Sequence, residues 1–211
     1  MVMFWDEAIE TIKPADLRIL QEKRLRETVA RCTNVTFYQQ KFREAGITSS
    51  DIQTLEDLQK IPFTRKTDLR DGYPFGSLAV PLRDIVRIHT TSGTTGKPTV
   101  VGYTAGDIDV WANLIARNLT MVGLCADDVF QNMVNYGMFT GGLGFHYGAE
   151  KAGLTAIPSG TGNTKRQIEM IHDFGVTVIH CTPSYGLHLA EAAADMKMDL
   201  PSLRVGIFGA E

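Results

Sequence analysis

Cysteine is scarce. The three in 211 residues, Cys32, Cys125 and Cys181, are odd in number and far apart. No disulfide framework can be drawn from them, and none stands beside a histidine at metal-ligand spacing. They read as free, buried or half-buried thiols of a reducing cytoplasm. Long apolar runs are missing too. Val176-Thr177-Val178-Ile179 is the best of them and polar residues follow, whereas a membrane-spanning helix needs about 20 apolar residues. The opening Met1-Val2-Met3-Phe4-Trp5-Asp6-Glu7 lacks the basic start and apolar core of a signal peptide. There is no block of basic charge. With 21 Lys+Arg against 24 Asp+Glu, the net charge is −3, which excludes an electrostatic nucleic-acid or membrane surface. No internal repeat or low-complexity segment occurs. The five histidines (His89, His146, His172, His180, His188) are scattered. His188 stands four residues after Ser184, but no acidic third member completes a triad, so the histidines read as surface or cap residues.

What is present is a 44% hydrophobic chain, enough for a sizeable core. Its first 80 residues read as helical. Leu17, Leu20, Leu25, Val29 and Cys32 recur at helical intervals after Pro14, which suits a helix first turn. Phe37 to Ala45 stops at Gly46. Ser49-Ser50-Asp51 caps one short element, and Thr64 to Arg70 forms another, closed by Asp71-Gly72. From about residue 84 the rhythm changes to alternating strand and helix. Strands are expected at Val129–Val134, Leu154–Ile157, Val176–Cys181 and Arg204–Phe208. Helices are expected at Ala105–Val122 with Thr104 and Asp107 as a capping pair, at Phe145–Ala152, at Lys165–Phe174 and at Tyr185–Met196 with Ser184 as N-cap. This alternation implies an α/β fold: a helical N-terminal region (1–80), then a mostly parallel sheet covered by helices (81–211).

One stretch carries more chemistry than the rest: Thr90-Thr91-Ser92-Gly93-Thr94-Thr95-Gly96-Lys97-Pro98-Thr99. Glycines let backbone N–H groups converge on an anion, hydroxyls add donors and lysine adds a point charge. It is not a Walker loop, which needs four residues between its first glycine and the Gly-Lys pair, then Ser or Thr. Here two residues separate Gly93 from Gly96, and Lys97 precedes Pro98. Proline disfavours helix at the residue before it. Strand-like alternation at Ile85–Thr90 and Thr99–Tyr103 flanks the loop, so a strand–loop–strand connection is expected. A hairpin turn without a ligand is the alternative.

Ser92-Gly93-Thr94-Thr95-Gly96-Lys97-Pro98 resembles the phosphate loop of adenylate-forming enzymes, the acyl- and aryl-CoA ligases and their relatives. Phe4-Trp5-Asp6 with its helical leader, Asn135-Tyr136-Gly137-Met138-Phe139-Thr140-Gly141-Gly142-Leu143-Gly144 and the closing Gly209-Ala210-Glu211 narrow the resemblance to the phenylacetate–CoA ligase family. The likeness runs over essentially the whole chain. It implies that Ser92, Gly93, Thr94, Thr95, Gly96 and Lys97 hold the β- and γ-phosphates of ATP with Mg2+ screening the charge. It implies further that Gly209, Ala210 and Glu211 lie near the nucleotide. Tyr136, Phe139, Thr140, Gly141, Gly142 and Gly144 are then expected to bind a small aromatic carboxylic acid, with the aromatics as a flat wall and the glycines letting backbone approach the carboxylate. A glycine-rich strand-to-helix turn with core aromatics is the competing reading of that stretch. Thr182-Pro183-Ser184-Tyr185 reads as a structural turn, with Tyr185 near the site.

The family's Tyr-Gly-x-Thr-Glu segment, ribose-binding aspartate and C-terminal lysine are not in this sequence. The expectation is therefore an α/β region incomplete at its C-terminus, with no catalytic and no metal-ligating residue of its own, inactive alone and exposing apolar surface beside its last strand. The whole protein would join an aromatic acid to coenzyme A with ATP, and the resemblance favours a homodimer. Two other readings stay open: an adenylyl-transferring relative acting on another acid, and a nucleotide-binding or assembly module without turnover.

Overall fold

A computed structural model describes residues 3–211 apart from Ser92, Thr94, Thr95 and Phe139. The chain divides into two compact units, Glu7–Gly106 and Asp107–Glu211, the latter taking in the leading residues up to Asp6.

The first unit is helical with one hairpin. Helix α1 (Glu7–Glu10) is a single turn, and α2 (Pro14–Cys32) starts with Pro14 in its first turn. Helix α3 (Thr36–Glu44) ends before Gly46, whose φ of 66° is the left-handed conformation that glycine adopts without strain. Where the sequence suggested one short element there are two 3-10 turns, Ser49–Asp51 and Leu55–Lys60. Each has its own reciprocal cap, Thr48 with Asp51 and Thr54 with Asp57. Val29, Phe42 and Ile52 form the buried centre of this unit. Helix α4 (Lys66–Asp71) follows, and Asp68 accepts from the Arg65 amide at 2.7 Å and pairs with Lys41 at 2.9 Å. Strands β1 (Arg87–Thr90) and β2 (Val100–Tyr103) then pair antiparallel, His89 opposite Val101. The expected strand–loop–strand connection is present.

Helix α5 (Ala105–Met121) leads into the second unit, a four-stranded parallel sheet in the order β4-β3-β5-β6. Its strands and helices alternate as β3 (Val129–Asn132), α6 (Thr140–Lys151), β4 (Thr155–Ile157), α7 (Thr164–Asp173), β5 (Val178–Cys181), α8 (Pro183–Asp195) and β6 (Val205–Phe208). The period of two sorts each strand's side chains onto two faces. Ile179 and Cys181 pack with Ile168 and Ile171 of α7 and Leu189 and Ala193 of α8. Phe130 and Val178 pack with Leu119 of α5 and Ala149 of α6. All four residues of β5 are buried, as a sheet covered on both faces requires. Trp5 of the leading segment donates from Nε1 to Asn113 Oδ1 on α5 at 2.7 Å.

Several expectations need correction. Helix α6 begins at Thr140, not near Phe145, so the glycines expected to form a turn are helical. Their purpose is close packing. A methyl group on Gly144 would strike the Trp111 ring, one on Gly148 would strike Ile115, and one on Gly142 would strike the Asn135 carbonyl. The N-cap of α8 is Thr182, whose hydroxyl accepts from the Tyr185 amide, and not Ser184. Pro183 fixes that register by occupying the first turn. His89 and His180 are buried, at 3% and 6% exposure, rather than superficial. Cys125 is exposed, whereas Cys181 is buried and Cys32 half-buried. Phe208, on edge strand β6, is 51% exposed.

Candidate functional site

Two sets of candidate residues occur, one in each unit. In the first, the β1–β2 connection carries Gly93, Gly96 and Lys97, while Ser92, Thr94 and Thr95 lie outside the described residues. Gly93 and Gly96 have φ of 66° and 136°, values that side-chain-bearing residues rarely adopt. The Gly96 amide donates to the Gly93 carbonyl at 3.0 Å, closing a tight turn. At its base the Thr91 amide donates to the Thr99 carbonyl at 3.0 Å, and the Thr91 hydroxyl accepts from the Thr99 amide. Lys97 Nζ stands 5.5 Å from the centroid of the Tyr73 ring.

In the second unit a cavity of about 380 Å³ opens at the carboxyl ends of three adjacent strands. Met133, Val134 and Asn135 follow β3, Thr182 and Tyr185 follow β5, and Ala210 follows β6. Thr161 and Gly162, from the segment after β4, close it. Open α/β sheets bind ligands at such strand ends, and the volume falls in the range of small-molecule sites. Among the residues expected here, Ala210 lines the cavity with φ of 66°. Tyr136, Thr140, Gly141, Gly142 and Gly144 do not line it, and Phe139 is outside the described residues. Glu211 turns aside. Its carboxylate accepts from the Ser184 amide at 3.2 Å and from the Ser184 hydroxyl, capping the positive end of α8. Of the walls not expected as site residues, Met133, Val134, Thr161 and Gly162 carry no motif, while Asn135 opens the Asn135–Gly144 stretch. The one signal of those four is that each lies shortly after a strand.

Beside the cavity runs a directed chain of hydrogen bonds. Asn132 and His180 are cross-strand partners of β3 and β5. Asn132 Nδ2 donates to the Gly142 carbonyl at 2.8 Å and to the Tyr136 hydroxyl at 2.7 Å. A carbonyl can only accept, so the amide orientation is fixed and Oδ1 must face His180 Nδ1, 2.8 Å away. His180 therefore carries its proton on Nδ1. The Tyr136 hydroxyl, already accepting from Asn132, has its proton left for His146 Nδ1 at 3.4 Å, and His146 Nε2 reaches Glu150 at 3.1 Å. Burial pushes the Tyr136 phenol up to about 12 and the His180 imidazole down to about 4, so both are neutral near pH 7. Burial also raises the Cys181 thiol to about 11, which makes it inert. Asn132 thus holds Tyr136 and Gly142 in place through neutral groups, and the chain reaches a carboxylate at Glu150.

Among the described residues no group of three or more His, Cys, Asp or Glu side chains is placed to hold a metal ion. No helix of the described residues is long and apolar enough to cross a membrane.

The chain is similar to known proteins along nearly its whole length. The phenylacetate-coenzyme A ligase of Escherichia coli (strain K12) is 49% identical over 97% of this chain, and that of Thermus thermophilus is 47% identical over 99%. This chain spans 48% of each, about half the length of the curated relatives it matches. A solved 2-hydroxyisobutyryl-CoA ligase, in complex with 2-HIB-AMP and CoA, superposes with a TM-score of 0.92 at 30% identity, over 98% of this chain and 46% of that one. The model of the AMP-binding enzyme family matches residues 12–211. The chain belongs to the AMP-binding enzyme family.

Proposed function

We propose that this chain supplies the polyphosphate loop and part of the acid-binding region of an ATP-dependent aryl-acid–CoA ligase. The loop residues Ser92, Gly93, Thr94, Thr95, Gly96 and Lys97 take the β- and γ-phosphates in this reading, and Gly209, Ala210 and Glu211 belong to the nucleotide side, which requires the Glu211 carboxylate to leave Ser184. The observation that carries it is the hairpin-borne Gly93–Lys97 stretch within a chain 47–49% identical to phenylacetate-coenzyme A ligases. Region 81–211 serves as the nucleotide- and acid-binding part, and 1–80 as its helical leader.

The chemistry follows from the poor electrophilicity of a carboxylate. A carboxylate oxygen attacks the α-phosphorus of ATP, the bond to the bridging oxygen breaks, and pyrophosphate leaves. The mixed anhydride then accepts the thiol of coenzyme A, and AMP departs with the acyl–oxygen bond's electrons. Lys97 and the loop's donors stabilise the negative charge that accumulates on the leaving pyrophosphate. The described residues offer no carboxylate cage for Mg2+, so in this reading the ion arrives with the nucleotide phosphates. The apolar strand-end cavity, walled by Met133, Val134 and Tyr185, suits a small aromatic carboxylic acid such as phenylacetate. In this reading Tyr136, Phe139, Thr140, Gly141, Gly142 and Gly144 also serve the acid side, and what supports them is the likeness to phenylacetate-coenzyme A ligases, not the cavity lining.

Product analysis tests the reading. The whole protein, given ATP and phenylacetate, should exchange labelled pyrophosphate into ATP, and with coenzyme A it should form phenylacetyl-CoA and AMP. Adenylate formation without thiol consumption would make it an adenylyl-transferring relative. Nucleotide binding without any turnover would make it a binding module. A gel-filtration mass of twice the whole protein's own subunit mass would support a homodimer.

A further inference from the structure

Gly96 is bare where a cation faces it. A Cβ built on Gly96 would lie 3.9 Å from Arg70 Nη1, so the guanidinium of the last turn of α4 stands against the loop backbone. Lys97, the next residue, extends its ammonium to the Tyr73 ring. The two partners are held together, because the Tyr73 amide donates to the Arg70 carbonyl at 3.1 Å. The turn beyond Tyr73 is closed tightly: the Gly76 amide donates to the Gly72 carbonyl at 2.6 Å, and a methyl on Gly76 would press on the Gly72 backbone.

We propose that Arg70 and Tyr73 are part of the polyphosphate site, Arg70 as a second cation on the loop and Tyr73 as the seat of the Lys97 ammonium. This rests on the reading of the Gly93–Lys97 loop as a polyphosphate binder. A polyphosphate placed at that loop would be attracted by both cations. The two residues are not equivalent. The guanidinium offers a planar fork that matches two phosphate oxygens, while the ammonium acts as a point charge. The Tyr73 ring face attracts the ammonium and limits the directions it samples, so that Lys97 is already oriented when the anion arrives. Sequence motifs would not reveal this pair, because 23 positions separate Tyr73 from Gly96.

Calorimetric titration of the whole protein with ATP, pyrophosphate and AMP tests the proposal. Arg70→Ala should weaken ATP and pyrophosphate ten- to hundredfold and leave AMP within about twofold. Arg70→Lys should recover part of the loss, since the charge returns without the fork. Tyr73→Leu should weaken ATP several-fold, whereas Tyr73→Phe, which keeps the ring, should bind as the parent does. Wild-type affinity of Arg70→Ala and Arg70→Gln for ATP and pyrophosphate would overturn the proposal. So would equal losses for ATP and AMP together with a lowered melting temperature, which marks a structural role. Lys97→Ala separates the two levels. If it weakens ATP while the Arg70 variants do not, only the new assignment falls; if it too leaves ATP binding unchanged, the loop reading falls with it.

Discussion

His180 Nδ1 donates to Asn132 Oδ1 across 2.8 Å in the middle of a parallel sheet, with the imidazole stacked 3.9 Å from the Phe145 ring centroid. Protonating Nε2 there would place a charge among apolar rings, which is why burial lowers the group to about 4 from its ordinary 6.5. A histidine with a depressed folded-state value is neutral in the fold while the unfolded chain takes up a proton. Its contribution is complete above pH 6.5 and is lost as pH falls toward 4. Urea unfolding between pH 4.5 and 7.5 should show stability falling with acidity by up to about 1.4 kcal/mol per pH unit from this group. His180→Gln should flatten that slope. Equal slopes in the two proteins would rule out His180 as the source.

The glycines of α6 make a second prediction. Gly144 and Gly148 stand one turn apart and face Trp111 and Ile115 of α5, so the helices approach where these side chains are absent. Neither glycine has a positive φ. Backbone strain therefore does not confound the substitution. Gly144→Ala and Gly148→Ala should each destabilise the protein by about 1–3 kcal/mol through overpacking, despite alanine's better helix propensity. Adding Ile115→Val to Gly148→Ala should recover part of the loss, which a double-mutant cycle in urea would measure. A stabilising Gly148→Ala would show that the helices do not approach there.

Much of this architecture was legible in the sequence because its signals are local. The Ile168/Ile171 spacing, the stop at Gly175 and the strand signal over Val176–Cys181 each depend on a few neighbouring residues. The α6 start was not legible, because Gly-Gly in the first turn reads as a loop until the Asn135 carbonyl is known to lie against Gly142 and the Trp111 ring, on the preceding helix, against Gly144. The burial of His180 was equally hidden. A histidine near a strand end looks superficial unless its partner on another strand is known, and Asn132 lies 48 residues away. The cavity walls at Met133 and Thr161 escaped for the same reason: a small site at strand ends is assembled by the sheet order, not by any one segment.

Lys97 gives a functional prediction. Its ammonium is the loop's point charge, and removing a charged hydrogen-bonding partner costs about 1.5–3 kcal/mol. Lys97→Ala in the whole protein should therefore weaken ATP use by about tenfold to a hundredfold, with much less effect on binding of the aromatic acid. Separate titrations of ATP and acid, and the rate of acid-dependent pyrophosphate exchange, report the two effects. Unchanged ATP affinity and unchanged exchange would remove Lys97 from the phosphate site.

At the opposite end of the strands, Asp128 ties the sheet together and titrates in a different window from His180. Its carboxylate accepts from the Thr177 hydroxyl at 2.7 Å, the Cys125 amide at 2.9 Å, and Arg204 Nη2 and Nε at 2.5 and 3.1 Å. Burial by itself would raise this carboxyl, but the Thr177, Cys125 and Arg204 contacts outweigh it and hold the group below the usual carboxylate range. An acid with a depressed folded-state value stabilises the fold above its unfolded value, about 3.9, and loses that contribution as pH falls through the folded value. Asp128→Asn removes the charge facing Arg204 and turns an acceptor into a donor. Because Arg204 is 46% exposed, water replaces part of what it loses, and the cost should be about 1–3 kcal/mol rather than that of a fully buried pair. Unfolding measured at pH 7 should show this loss, and unfolding below pH 4 should show the variant and the parent converging. The His180 slope between pH 4.5 and 6.5 should be the same in both proteins. A variant as stable as the parent at pH 7 would mean that the Asp128–Arg204 contact contributes nothing to the sheet.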